Sequence, residues 1–240
     1  MISKTKSLVE DYKLLLRNVP ALVTCAFLLS TILMNLSAAK IVFTFAGANF
    51  TGGFFLSFMP FLCMDCTAKR FGARAAILLN ILSAVGNVFT VLFLHLVALI
   101  PGTGGDYTAF NSVYASVWFI VLGSTVAFVV SGVINSLLNS AIGKLFKNKT
   151  SIAEFSARSF ISTFIGQAID NFLFLYIVYG IFAPIYWDIS ISAMSCLITG
   201  IIGGLVELAL EIVFSPLGYK IVRKWEAEGV GNEYIEAHKK

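Results

Sequence analysis

Charge is what this chain has least of. Of its 240 residues only 12% are Asp, Glu, Lys or Arg, while 58% are hydrophobic; soluble domains carry about 25% charged residues. So few charges cannot furnish a water-facing surface, which excludes a soluble globule, a disordered chain and a nucleic-acid binder. Histidine is nearly absent too. The two present are His95, near the end of an apolar run, and His238, in the polar tail. A serine or cysteine nucleophile inside the apolar runs would therefore lack its imidazole base. The zinc-protease pattern HExxH and a phosphate loop ending in Gly-Lys-Ser/Thr are both missing. Asp65 and Asp170 fall at different depths of their runs, which argues against an aspartyl dyad. The chain does not read as an enzyme. Its four cysteines all sit in apolar stretches and form no disulfide framework. Cys63-x-x-Cys66 lacks a second ligand pair, so these thiols read as packing residues, and no metal or cofactor is expected.

What is present is long apolar runs. The mean hydropathy is +0.87. A membrane-spanning helix needs about 20 apolar residues, and six runs approach this: 20–46, 52–67, 73–100, 113–143, 160–182 and 189–217. The second is the shortest and holds Pro60. Strands are not expected, because barrel strands alternate in polarity over about ten residues. The first run is longer than the core of a signal peptide, about 7–15 residues, so it reads as a retained span. Sixteen of the 17 Lys and Arg residues flank the first run's start, the 67–74 and 144–158 connections, and the last run's end. By the positive-inside rule that side is cytoplasmic. The expectation is an all-α integral membrane protein of six transmembrane helices with both termini cytoplasmic. Residues 1–19 form a cytoplasmic segment, 20–218 the membrane domain and 219–240 a cytoplasmic tail. Tyr107, Tyr114, Trp118, Tyr186, Trp187 and Trp225 mark headgroup levels.

Five charges fall in or at the edge of these runs: Lys40, Asp65, Asp170, Glu207 and Glu211. Each costs at least about 2.5–3.5 kcal/mol at the bilayer centre. Lys40 lies near an outer boundary, where it can snorkel or meet a substrate. Asp65 precedes Lys69 by one helical turn, a spacing that pairs them. Asp170 lies near mid-membrane, about 12 residues past Arg158. Gln167, Gly166 and Phe174 share its face. Glu207 and Glu211 stand one turn apart, on a face continued by Gly200, Gly203 and Gly204. Glycines admit a close neighbour, either a helix or a ligand. A protonated or cation-neutralised acid pair suits a coupled carrier. Asn35, Asn80, Asn87, Asn135, Asn139, Ser162 and Asn171 add more polar surface than an anchor needs.

Several patterns resemble the vitamin uptake transporter family. They are Asp65-x-x-x-Lys69-Arg70-Phe71-Gly72 followed by Ala73-Arg74, Arg158-x-x-x-Ser162-x-x-x-Gly166-Gln167-x-x-Asp170, Asn35 with Lys40, and Glu211 with Ser215-Pro216-Leu217-x-Tyr219. Many relatives carry an acid where this chain has Lys69, and a lysine in the last span where it has Glu207. The resemblance implies a fold similar to the substrate-binding components of energy-coupling-factor transporters. It also implies import of queuosine precursors: 7-cyano- or 7-aminomethyl-7-deazaguanine, or queuine, for tRNA modification. The expected setting is the bacterial cytoplasmic membrane. The implied partners are a small heterocycle and the lipid bilayer, with self-association left open. Asp170 would accept two N–H donors of the base in a fork, Gln167 would read another edge, and Asn35, Glu207 and Lys40 would complete the wall. Phe174 and Tyr176 are the candidate stacking rings. Asp65, Glu211 and Arg158 would serve coupling or gating. One alternative is the substrate-binding component of an energised complex, although no Ala-x-x-x-Ala occurs in the first run. The others are a carrier of another heterocycle, and a membrane assembly protein without a ligand.

Overall fold

The computed structural model describes residues 8–145 and 152–238, with side chains described except at 132, 135–136, 139–145, 152–159 and 162. The chain is mostly helical. The elements run α1 (Leu8–Asn18), α2 (Ala21–Ser37), β1 (Ile41–Phe45), β2 (Ala48–Thr51), a 3-10 turn (Gly52–Leu56), α3 (Phe58–Phe71), α4 (Ala73–Leu99), α5 (Thr108–Tyr114) and α6 (Trp118–Leu145). They continue with α7 (Ile152–Leu175), a π-helical stretch (Tyr176–Phe182), α8 (Ala183–Tyr186), α9 (Ala193–Ala227) and α10 (Asn232–His238). Helices suit such apolar runs because lipid offers no partner to backbone N–H and C=O groups, so each run must satisfy its own. Among the described residues four helices are long and apolar enough to cross a membrane: Ala73–Leu99, Thr108–Ser131, Thr163–Tyr186 and Ala193–Ala227. A fifth is added if α1 and α2, bent by 109° at their junction, count as one. The bend falls at Pro20, which disfavours helical geometry in the residue before it. α3 holds 14 residues, about 21 Å at 1.5 Å per residue, short of the roughly 30 Å hydrocarbon core. Pro60 sits in its first turn, where a proline's missing N–H costs nothing.

The first apolar run departs from the expected continuous helix. Helix α2 stops at Ser37, and Ile41–Phe45 pairs antiparallel with Ala48–Thr51. The expectation of no strands is corrected here. Ile41, Val42, Phe43, Thr44 and Phe45 are β-branched or aromatic, and such residues favour a pleated surface. Ala46 and Gly47 then turn at φ 49° and 82°, the left-handed conformation of a tight hairpin. Lys40 therefore lies at the entrance of a hairpin, exposed, and not on a helix.

The chain packs as two units. The first comprises Met1–Leu33, Leu56–Gly86 and Glu211–Lys240; the second comprises Met34–Phe55 and Asn87–Leu210. In the first unit the apolar core joins Leu15, Phe27, Phe71, Leu79, Trp225 and Tyr234. Trp225 is thus a core residue, 8% exposed. α10 packs on α1. Arg17 pairs with Glu233, and Arg70 donates to the Val230 carbonyl at 2.8 Å and to Asn232 at 2.7 Å. Beneath them Asp11 is fully buried and accepts from Arg74 Nε at 2.6 Å. In the second unit the core gathers Val117, Phe119, Ile120, Val178, Tyr179 and Cys196. The hairpin is tied to the start of α9: Asn49 donates to Ser195 and Thr199, each at 2.7 Å.

Candidate functional site

The polar residues of the second unit are organised along α7. Asp170 accepts a hydrogen bond from Ser131 of α6, Oγ to Oδ1 2.8 Å. One position on, Asn171 donates its Nδ2 to Glu207 of α9 at 3.0 Å, and also to the Gln167 carbonyl at 3.0 Å. Two carboxylates in apolar helices are thus each held by one neutral donor from a neighbouring helix. They are near enough to interact electrostatically. Asp170 and Glu207 both keep partial exposure, and each has a second oxygen that takes no hydrogen bond among the described residues. Gln167, 8% exposed, carries a buried side-chain oxygen with no partner among the described residues. Such an orphaned acceptor costs about 1–3 kcal/mol.

The glycines of α9 explain how these helices come so close. A Cβ on Gly200 would stand 2.7 Å from the Ala168 carbonyl oxygen, and one on Gly204 3.0 Å from the Ala168 amide nitrogen. A Cβ on Gly203 would meet the Asn171 amide at 3.3 Å. The glycine face therefore admits a helix, α7, and brings Asn171 within reach of Glu207.

The remaining expected site residues fall as follows. Asn35 donates to Asn87 at 2.7 Å, joining α2 to α4. Phe174 packs against the apolar core of the second unit. Tyr176 opens the π-helical stretch and stacks on Phe172 with ring centroids 5.8 Å apart. Asp65, Lys69 and Glu211 belong to the first unit. Lys69 pairs with Asp65 at 3.2 Å, as the one-turn spacing predicts, and Glu211 feels both charges. Arg158 is on α7, but its side chain lies outside the described residues, as do those of Asn135, Asn139 and Ser162. Sequence reasoning missed Ser131. A lone serine in an apolar run carries no signal, because its hydroxyl can bond back to its own helix. It does so here to Phe128 at 3.2 Å, a longer contact than the one to Asp170.

Long apolar helices with acids and amides facing one another define a multi-pass membrane protein with a polar interior. The family model described as a putative vitamin uptake transporter matches residues 51–221, and the chain belongs to that family. The match includes Asp65, Gln167, Asp170, Glu207 and Glu211 and leaves out Asn35 and Lys40. Membership implies a role in small-molecule uptake. Neither the curated proteins nor the solved structures contain a match to the chain.

Proposed function

We propose that the chain imports queuosine precursors, 7-deazaguanine bases, through six passes with both termini on the cytoplasmic side of a bacterial membrane. One observation carries this reading: among the described residues, three side-chain oxygens on α7 and α9 are left to accept hydrogen bonds. Among the described residues Asp170 and Glu207 each keep an uncommitted oxygen, and the Gln167 oxygen has no partner. A guest that settles there must donate hydrogen bonds. A guanine-like edge offers adjacent N–H groups to one carboxylate, and a base without them leaves that carboxylate unsatisfied. Phe174 and Tyr176 supply flat surfaces for the ring. Asp170 is the forked acceptor, with Gln167 reading a second edge and Glu207, Asn35 and Lys40 bounding the guest. Asp65, Glu211 and Arg158 serve the conformational cycle.

The test is thermal unfolding of the purified protein with 7-deazaguanines, purines and vitamins. A guest that binds only the folded chain must raise the melting temperature. A rise with 7-cyano- or 7-aminomethyl-7-deazaguanine, lost in Asp170→Asn, supports the reading, as does uptake by cells unable to make the precursor. A rise with another heterocycle alone would redirect the substrate and keep the carrier. No rise with any compound would favour an assembly protein, and copurification with a scaffold and two ATPases would favour an energised complex.

A further inference from the structure

Helix α1 has two faces that ask for different surroundings. At about 100° per residue, Asp11, Leu15 and Asn18 fall on one side. There Asp11 and Leu15 are fully buried against the first unit. Beside that side, starting next to Leu15, Leu8, Val9 and Leu16 share an arc of about 100° and are 60%, 62% and 45% exposed, with the half-buried Tyr12 between them turned to α4. Lys13 and Arg17 follow next around the helix, along one edge of that arc. A strip of large aliphatic side chains beside a basic edge is the pattern of a helix lying in a membrane surface.

Two further observations fix where such a helix would lie. The 109° turn at Pro20 sets α1 nearly across the axis of α2. The uncharged α2 shows its own aliphatics outward, Leu22 at 81% and Leu29 at 60%. With α2 in lipid, α1 lies close to the bilayer plane. Its depth follows from what holds it to α4. Asp11 is bound to Arg74, the second residue of α4, and the Tyr12 hydroxyl donates to the Leu78 carbonyl at 2.9 Å. Leu78 is five residues into α4, about 7.5 Å along its axis. An interfacial helix buries its apolar side about 5–10 Å into the headgroup–acyl boundary, which matches. Lys13 has no ion pair among the described residues. In sequence, Lys4 and Lys6 precede α1, and Lys239 and Lys240 follow α10, its neighbour. Each cation near an anionic leaflet contributes to attraction.

We infer that α1 is a lipid-docked helix: Leu8, Val9 and Leu16 sit in the headgroup–acyl boundary, and Lys13 engages anionic headgroups. Assigning this to the cytoplasmic leaflet rests on the orientation proposed above; the depth does not. The test uses the intact protein in nanodiscs, with a fluorescent amino acid at Val9, at Leu16 or, as control, at the water-facing Glu10. The expected result at Val9 and Leu16 is strong quenching by lipids labelled just below the headgroup. Aqueous iodide should quench there at least three-fold less than at Glu10. Raising phosphatidylglycerol at the expense of phosphatidylcholine should deepen the iodide shielding at Leu16, and Lys13→Glu should abolish that increment. Iodide access at Val9 and Leu16 equal to that at Glu10 would overturn the docking. Quenching by deep-chain labels alone would make α1 part of a span and overturn it equally. Indifference to the anionic lipid would remove the headgroup role. None of these outcomes depends on whether a substrate is transported, so failure here and failure of the carrier reading are distinguishable.

Discussion

Removing the Ser131 hydroxyl leaves Asp170 with no described donor. A hydrogen bond to a charged group contributes about 1.5–3 kcal/mol, so Ser131→Ala should weaken guest binding about ten-fold or more. Titrating the ligand-induced melting shift checks this. Glu207→Gln is the complementary change. The new amide oxygen can still accept from Asn171, so the fold should persist with an unchanged melting temperature. Binding of a donor-rich base should weaken, because one ionic acceptor is gone. At this scale the sequence is readable wherever a residue is expensive in lipid. Asp170 and Glu207 stand out because charge in an apolar run needs a reason. Ser131 does not stand out, because its hydroxyl costs little once bonded to its own helix. The orphaned oxygen of Gln167 was beyond reach for a different reason: the sequence names the amide but not which of its groups finds a partner.

At the scale of the element, the α7–α9 seam carries the sharpest expectation. The nearest atoms facing Gly200 and Gly204 are backbone atoms of Ala168, with Phe172 also against Gly200, and backbone cannot swing aside. Gly200→Leu should force the helices apart at a cost of about 1–3 kcal/mol. It should also break the Asn171–Glu207 bond, giving a lower melting temperature and a weaker ligand response together. The loop before α5 gives a pH-dependent case. Asp106 accepts from both the side chain and the backbone of Thr108, at 2.6 and 2.9 Å. These bonds hold its carboxyl below the usual range. A depressed folded value means the contribution is present above the ordinary carboxylate range, near 4, and is lost as pH falls through the folded value. The protection factor of the Thr108 amide, which corrects for the slower intrinsic exchange in acid, should be higher at neutral pH and fall as pH drops through the folded value. Asp106→Ala should show the acid behaviour at every pH. The sequence hid the β1–β2 hairpin through its setting. An apolar stretch joined to an apolar helix reads as more helix, and only the β-branched and aromatic residues of Ile41–Phe45, with Gly47 after them, said otherwise.

At the scale of the whole molecule, the tail is more than a polar appendage. Tyr234 is 1% exposed and meets Phe71 edge to face, with centroids 6.3 Å apart. Gly231 holds φ at 79° with the Phe71 ring where a Cβ would go. Truncating a buried aromatic costs about 3–5 kcal/mol. Tyr234→Ala should therefore lower the melting temperature of the intact protein, and Gly231→Ala should lower it through both strain and overlap. Charge counting along the chain could not foresee this, because a helix of seven residues among lysines and glutamates offers only Tyr234 and Ile235 as hints. The membrane class, by contrast, was legible from composition alone, because no soluble fold tolerates so little charge.

The thiols of this chain have a practical consequence. Cys63, Cys66 and Cys196 are buried, and Cys25 is exposed on the uncharged α2, where lipid would cover it if α2 lies in the bilayer. A membrane-impermeant maleimide applied to sealed, right-side-out vesicles should therefore leave the natural protein unlabelled, so the wild type serves as its own blank. Against that blank, Thr103→Cys should label at once and Glu228→Cys only after the vesicles are opened. Labelling of both from the outside would refute the six-pass orientation.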